Sequence, residues 1–303
     1  MQQPVVVLFN PSANRWAASR RRAELEAALR EAGIPYELQV SQAKGHLRRL
    51  AAKAAREHPH RPIFIAGGDG SVGESVNGIA DALGGAPRWT PIGVFPLGGG
   101  NDFVANLGLP TDLFELARIY AQGRTRLMDV LDVDGMYFVN NAALGLEPYV
   151  TRIEKRINLR GPWRYAWAAL RGILDNPRWH VRMHWEGGSY QGPVNLVTVG
   201  NWPRTGGFFY LTPQANGFDG QLTFTLAALP SRWALIRALF RALKPDNTWP
   251  SQPPIWQAHS TWLEVACYPP APLHADGEII TDEARECRFN THPRKLPVFG
   301  RWE

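Results

Sequence analysis

The run Pro62-Ile63-Phe64-Ile65-Ala66-Gly67-Gly68-Asp69-Gly70-Ser71-Val72-Gly73-Glu74 passes from an unbroken apolar segment, through a cluster of glycines, into helical sequence through Val76 and Asn77. A short apolar run bounded by glycine reads as a buried strand of a parallel sheet. Glycines after a strand let the backbone turn tightly and approach a ligand closely. Their exposed N–H groups, with the N-terminus of the following helix, form a cradle for anions. Asp69 stands where a carboxylate can hold a metal ion or orient a group near a phosphate, and Ser71 where an N-cap is expected. A plain strand-to-helix turn would need the same residues, so this segment alone leaves both readings open.

Working outward, the same alternation recurs. Val5–Phe9, Tyr36–Val40 and Pro91–Phe95 are further apolar runs, and Arg15–Ala32, Gly45–Glu57 and Ser71–Leu83 are rich in Ala, Leu, Arg and Glu. This order predicts a parallel sheet with helices on both faces, and ligands of such sheets gather at the carboxyl ends of the strands. Two more polar or glycine-rich turns fall at that edge. They are Phe9-Asn10-Pro11-Ser12-Ala13-Asn14 and Phe95-Pro96-Leu97-Gly98-Gly99-Gly100-Asn101-Asp102-Phe103. Three such turns on one edge point to a phosphate site. GxxxxGK[ST] is absent, so phosphate must be held without a P-loop lysine.

After about Arg124 the period changes. Leu127–Val133 and Met136–Ala142 flank Asp134-Gly135, a hairpin signal. Strand-like runs follow at Trp179–Trp185, Pro193–Gly200, Gln221–Leu226, Thr261–Cys267 and Glu286–Thr291, separated by Pro, Gly and Asn. The expected class is α/β: a three-layer N-terminal domain over residues 1–124, then an antiparallel, β-sandwich-like domain over 125–303, interrupted by two helical segments. In this second half His274-Ala275-Asp276-Gly277-Glu278 sets two carboxylates around a glycine. A hairpin turn explains the Asp-Gly pair; a general base beside a water- or magnesium-positioning acid explains both carboxylates.

Composition narrows the class further. The 303 residues are 45% hydrophobic and 20% charged, ordinary for a folded chain. No uncharged apolar run reaches membrane-spanning length, and Pro4–Phe9 lacks the flanks of a signal peptide, so a cytoplasmic location is expected. Cys267 and Cys287 stand alone, without zinc or disulfide spacing. His180, Arg182 and His184 share one face of a strand and read as a solvated surface. The net charge of +6 is unevenly placed: Arg152–Arg182 holds eight Lys or Arg against two acids, and ten of the twelve Trp follow residue 125. Cations beside Trp suit phosphate headgroups at a membrane; nucleic acid would attract the same charges, but no nucleic-acid motif accompanies them.

Taken together, the motifs resemble the diacylglycerol kinase catalytic family, in particular soluble bacterial lipid kinases and their sphingosine and ceramide kinase relatives. Asn10-Pro11, Gly67-Gly68-Asp69-Gly70-Ser71, Pro96-Leu97-Gly98-Gly99-Gly100-Asn101-Asp102-Phe103 and Asp276-Gly277-Glu278 occur in the family's order across nearly the whole chain. The resemblance implies transfer of phosphate from ATP, with Mg2+, to the hydroxyl of a membrane lipid such as diacylglycerol. It implies an ATP site in a cleft between the two domains. Asn10, Ser41, Gly67, Gly68, Asp69, Gly70, Ser71, Val72, Gly73, Glu74, Gly98, Gly99, Asn101 and Asp102 would contact nucleotide. Glu278 would accept the proton, with Asp276 and Asp69 in support. A structural magnesium at a second-domain Asp-Gly turn corresponds to Asn216, Asp219 and Gln221, the first and last through backbone carbonyls. Three departures stand out: Ser71 and Gly99 occupy positions where the family usually has Thr, and Asn14 one where it commonly has Gly.

Two helical stripes bear on the substrate. Trp163, Trp167, Leu170 and Leu174 recur with Arg160, Arg164 and Arg171 nearby, and Trp233, Ile236, Phe240 and Leu243 with Arg237, Arg241 and Lys244. Either stripe suits an anionic membrane interface, peripheral to the inner surface, or packing against the sandwich. Rival readings are a catalytically weak lipid-binding regulatory protein and a nicotinamide-dinucleotide kinase, which shares the Gly-Gly-Asp-Gly loop. The identity of the lipid and any homo-oligomeric state are left open by the sequence.

Overall fold

The computed structural model describes residues 4–156, 162–245 and 254–302. The chain forms two compact units: Met1–Val130 with Tyr137–Val139 and His292–Glu303, and Leu131–Met136 with Asn140–Thr291.

The first unit contains β1 (Val5–Phe9), α1 (Ala17–Arg20), α2 (Arg22–Glu31), β2 (Tyr36–Val40), α3 (His46–Glu57), β3 (Ile63–Gly67), α4 (Asp69–Leu83), β4 (Ile92–Pro96), α5 (Asp102–Asn106) and α6 (Leu113–Ala121). β1 pairs in parallel with β2 on one side and β3 on the other, and β3 pairs with β4. The order β2-β1-β3-β4 reverses direction at β1, which creates a topological switch point between β1 and β3. All residues of β1, β3 and β4 are buried, as continuous apolar strands of a covered parallel sheet should be. Phe64 packs edge-on against Phe95 and Phe299 and tilts against Tyr120, whose buried hydroxyl donates to the Val94 carbonyl at 2.8 Å. The expected single helix over Arg15–Ala32 is broken at Arg21 into α1 and α2.

β5 (Thr125–Val133) and β6 (Met136–Phe138) follow, joined through Asp134 and Gly135, both at positive φ, as the hairpin signal predicts. The second unit continues with β7 (Asn141–Gly145), α7 (Leu146–Arg156), α8 (Pro162–Asp175), β8 (Trp179–Trp185), β9 (Gly188–Val194), β10 (Leu196–Gly200), β11 (Arg204–Thr205), β12 (Phe209–Tyr210), β13 (Leu222–Ala227), α9 (Arg232–Ala242), β14 (Ile255–Ser260), β15 (Trp262–Ala275) and β16 (Glu278–Phe299). Its strands pair antiparallel. β15 is the organising element: Leu263–Tyr268 pairs with β8, whereas Leu273–Ala275 pairs with β7. Between these stretches the register shifts, and Pro269, Pro270 and Pro272 lack the N–H that a continuous ladder requires. One strand thereby pairs with β8 along its first part and with β7 along its last. His180, Arg182 and His184 alternate with buried Trp179, Val181 and Met183, an exposed face as expected.

The 124/125 boundary read from the change of period differs from the observed units. Residues 125–130 and 292–303 belong to the first, because the end of β16 returns to pair in parallel with β4, with Val298 opposite Ile92. Among the described residues three helices, rather than two, interrupt the β-rich half. Among the described residues no helix is long and apolar enough to cross a membrane.

Candidate functional site

The loops after β1, β3 and β4 meet at the carboxyl edge of the parallel sheet. Asn10 Nδ2 donates to Ser71 Oγ at 2.9 Å, spanning the switch point, while Asn10 Oδ1 accepts from the amide and hydroxyl of Ser12. Leu97 N donates to the Gly67 carbonyl at 2.8 Å, so the two glycine loops run side by side. A Cβ built on Gly98 would lie 2.5 Å from Gly68 Cα, inside any real contact distance, and one on Gly67 would strike Ser71 Oγ. The backbone–backbone approach therefore demands glycine at Gly98 and leaves little room at Gly68. Asn101, left-handed at φ 52°, closes its own loop: its Oδ1 accepts from Gly98 N at 2.9 Å and its Nδ2 donates to Gly98 O at 3.1 Å.

The helix after the first glycine loop starts two residues earlier than expected. Gly68 is the N-cap of α4 with no side chain bonded to it, and Ser71 lies buried inside the first turn, engaged with Asn10. An uncapped N-terminus of a 15-residue helix keeps its amide dipoles available to an anion. Asp69 Oδ1 accepts from Phe103 N at 3.0 Å, tying this loop to the start of α5, whose first residue Asp102 is buried. Glu74 Oε1 accepts from Gly45 N at 3.0 Å and so fixes the entry to α3. Ser41 follows β2, with its amide bonded to the Phe9 carbonyl. Gly70, Val72 and Gly73 lie in the first turns of α4. The first unit thus collects Asn10, Ser41, Gly67–Glu74, Gly98, Gly99, Asn101 and Asp102 at one sheet edge.

In the second unit Asp276 and Gly277 turn the β15–β16 hairpin, both at positive φ. Asp276 Oδ1 accepts from the amides of Asn140 at 2.9 Å and Asn141 at 3.2 Å, and its own amide donates to Asn141 O at 2.8 Å. This carboxylate is buried and holds the start of β7, whereas Glu278 is exposed at the mouth of the turn. The two acids have different work: Asp276 fixes the turn and Glu278 is presented by it.

Asn216, Asp219 and Gln221 occupy one tight turn with Gly220 at φ 78°, and all three are exposed. Asp219 Oδ1 accepts from Gln221 N at 3.0 Å, and Asn216 O accepts from Phe218 N at 2.7 Å and Asp219 N at 3.3 Å. A carboxylate and carbonyl oxygens close together fit a hard divalent cation completed by water. Among the described residues no group of three or more His, Cys, Asp or Glu is placed to hold a metal, so any such ion would draw on backbone oxygens and water as well.

Beyond these expected positions the second unit contains a partly open, mostly apolar pocket of ≈ 120 Å³ lined by residues of α7, α8, α9 and the sheet. Its walls include Val150, Ile173, Leu196, Leu235, Leu239 and Ile255.

Residues 4–133 match the family described as the diacylglycerol kinase catalytic domain, and residues 140–300 match the YegS C-terminal NAD kinase beta sandwich-like domain. The chain belongs to the diacylglycerol kinase family. A relative named diacylglycerol kinase from Staphylococcus carnosus (strain TM300) is 26% identical over 92% of this chain and 89% of its own length. One of the same name from Staphylococcus saprophyticus is 24% identical over 92% and 90%. The crystal structure of a diacylglycerol kinase from Bacillus anthracis str. Sterne superposes with a TM-score of 0.76 at 18% identity, covering 98% of this chain and 97% of that one, which shows a shared fold. Family membership supports a kinase that acts on lipid.

The family frame sharpens what sequence reasoning missed. Glu147 lines the cavity, yet nothing in Leu146-Glu147-Pro148 marks it, since an acid in the first turn of a helix is ordinary. Asn77 was likewise unremarkable in sequence; its amide exchanges two hydrogen bonds with the Tyr137 backbone, at 2.8 and 3.0 Å. The cavity walls come from residues scattered between 146 and 255, so no local pattern announces them.

Proposed function

We propose that this protein is an ATP- and Mg2+-dependent lipid kinase that phosphorylates the hydroxyl of a membrane lipid. The observation that carries this reading is the close backbone approach of Gly68 and Gly98 beside the open N-terminus of α4, at the switch point of the parallel sheet. That geometry suits a chain of phosphates held by backbone amides. The Asn10–Ser71 and Asp69–Phe103 hydrogen bonds pre-set the loops, so little ordering remains when nucleotide binds. Asp69 would help hold magnesium, which would supply positive charge against that developing during transfer. Glu278 would take the proton of the lipid hydroxyl, and Asp276, bound by two backbone amides, would hold the turn that presents it. Asn216, Asp219 and Gln221 would hold a second, structural ion.

The membrane reading rests on α8 and α9. Trp167 (53%), Leu170 (45%) and Leu174 (48%) on α8, and Trp233 (74%) and Phe240 (66%) on α9, are exposed although large and apolar. Arg160 and the side chains of Trp163 and Arg164 fall outside the described residues. The opposite face of α9, Leu235, Ala238, Leu239 and Ala242, lines the cavity. A helix apolar on both faces but covered on one suits a lipid interface. Arg232, Arg237 and Lys244 beside it suit anionic headgroups.

Labelled ATP supplied with mixed lipid vesicles tests the assignment. Label is expected in the organic phase, with loss in Glu278→Gln and Asp69→Asn at unchanged melting temperature. Label in a dinucleotide, or wild-type turnover in both variants, would refute the mechanism.

A further inference from the structure

Asn77 is buried in α4, at 6% exposure, and its carboxamide is wholly engaged with backbone. Its Nδ2 donates to Gly73 O at 2.9 Å, within the first turns of the same helix, and to Tyr137 O at 2.8 Å. Its Oδ1 accepts from Tyr137 N at 3.0 Å. A carboxamide carries the same donor and acceptor as a peptide group, so Asn77 meets Tyr137 as a neighbouring strand would. An ionised aspartate would offer no donor, and its oxygens would face the carbonyls of Gly73 and Tyr137.

The segment that Asn77 holds is short. Tyr137–Val139 belongs to the first unit, whereas Met136 before it and Asn140 after it belong to the second. The Tyr137 ring packs edge-on against buried Trp89, with centroids 5.0 Å apart, and tilts against His292 at 5.3 Å. His292 is the first residue of the tail that returns to the first unit. Phe138 and Val139 are buried completely. Two residues further on, the chain is held again. Asp276 Oδ1 accepts from the amides of Asn140 and Asn141, and Asp276 N donates to Asn141 O. Tyr137-Phe138-Val139-Asn140-Asn141 contains no glycine and no residue at positive φ, so the link between the two grips has little freedom of its own. One end is fixed to α4, the helix whose open N-terminus suits phosphate. The other is fixed to the turn that carries Glu278.

We infer that Asn77 is a positioning residue for the transfer step, acting through Tyr137–Asn141 on the turn that presents Glu278. This rests on the lipid-kinase reading and adds a residue that touches neither nucleotide nor lipid. Asn77 fixes where the chain leaves the first unit, and Asp276 fixes the turn to the same chain. A reacting group displaced by about 1 Å loses on the order of a hundredfold in rate, so slack at Asn77 lowers turnover while the glycine loops still bind nucleotide.

The test compares wild type with Asn77→Asp in two readouts. Amide hydrogen exchange at Asn140 and Asn141, followed by NMR, reports the link. Turnover beside calorimetric nucleotide affinity reports the step. The variant is expected to exchange about tenfold faster or more at both amides and to lose about tenfold or more in kcat, with nucleotide Kd unchanged. Asn77→Ser adds no charge but is too short to meet both groups of Tyr137; it should move both readouts the same way, by less, and replaces Asn77→Asp if that variant does not fold. Exchange and turnover that match wild type overturn the inference, and so does movement of only one of them. Nucleotide affinity that falls as far as kcat also overturns it, since Asn77 would then support α4 alone. A wild-type protein that transfers no phosphate to lipid counts against the kinase reading, and the exchange comparison then decides the coupling.

Discussion

Gly98 and Gly99 are adjacent in the chain and opposite in their steric demands. A Cβ on Gly98 meets the Gly68 backbone at 2.5 Å, whereas one on Gly99 meets nothing nearer than Asn14 Oδ1 at 3.9 Å. Neither has a positive φ, so the difference is one of space alone. Gly98→Ala should push the two loops apart, costing about 1–3 kcal/mol by analogy with overpacked cores. Nucleotide binding, read by calorimetry, should be lost with it. Gly99→Thr should leave the melting temperature unchanged and tighten nucleotide binding, because it adds a hydroxyl at an unobstructed position; a net gain of about 1 kcal/mol is typical of one hydrogen bond. An unchanged or weaker nucleotide affinity in Gly99→Thr would separate this loop from the phosphates. From sequence these two glycines were indistinguishable, since both belong to the same three-glycine run. The distance to a loop some thirty residues earlier distinguishes them.

Among the elements, α9 shows how far periodicity reaches. Trp233, Ile236, Phe240 and Leu243 fall on one stripe, and that spacing predicts a helix with an apolar face whether the face is packed or wet. The fold turns the other apolar stripe, Leu235, Ala238, Leu239 and Ala242, inward, and leaves Trp233 and Phe240 outside. Ser231 caps the helix by accepting from Ala234 N at 3.2 Å, so the segment is well defined in its own right. Substituting Trp233 and Phe240 together with Ser should therefore spare the fold. Sedimentation with anionic vesicles should then fall by at least tenfold, equivalent to about 1.4 kcal/mol. Binding should also weaken as salt rises, because Arg232, Arg237 and Lys244 act through screened charge. Vesicle binding that ignores both the double substitution and salt would exclude α9 as the docking element.

For the whole molecule, the closing residues of the chain complete its first unit. Leu296, Val298 and Phe299 are buried, Phe299 meets Phe64 and Tyr120, and Arg124 Nη1 donates to Trp302 O at 2.8 Å. Burial of each large side chain is worth about 2 kcal/mol, a large share of the margin of a typical domain. A chain ending at Thr291 should lose the calorimetric transition of the first unit, or melt far lower, and expose the edge of β4. A truncated protein with an unaltered melting profile would show that the tail contributes little. Local sequence determined the β-α alternation, the glycine turns, the Asp-Gly hairpins and the helical stripes, because each follows from contacts and backbone preferences within a few residues. Tertiary structure alone decided that the tail joins the first unit, that Gly68 touches Gly98, that Asp276 holds a strand while Glu278 is presented, and that Glu147 lines a pocket. Each of these is a pairing between residues far apart in the chain, set by which surfaces exclude water together, and one-dimensional spacing carries no record of that choice.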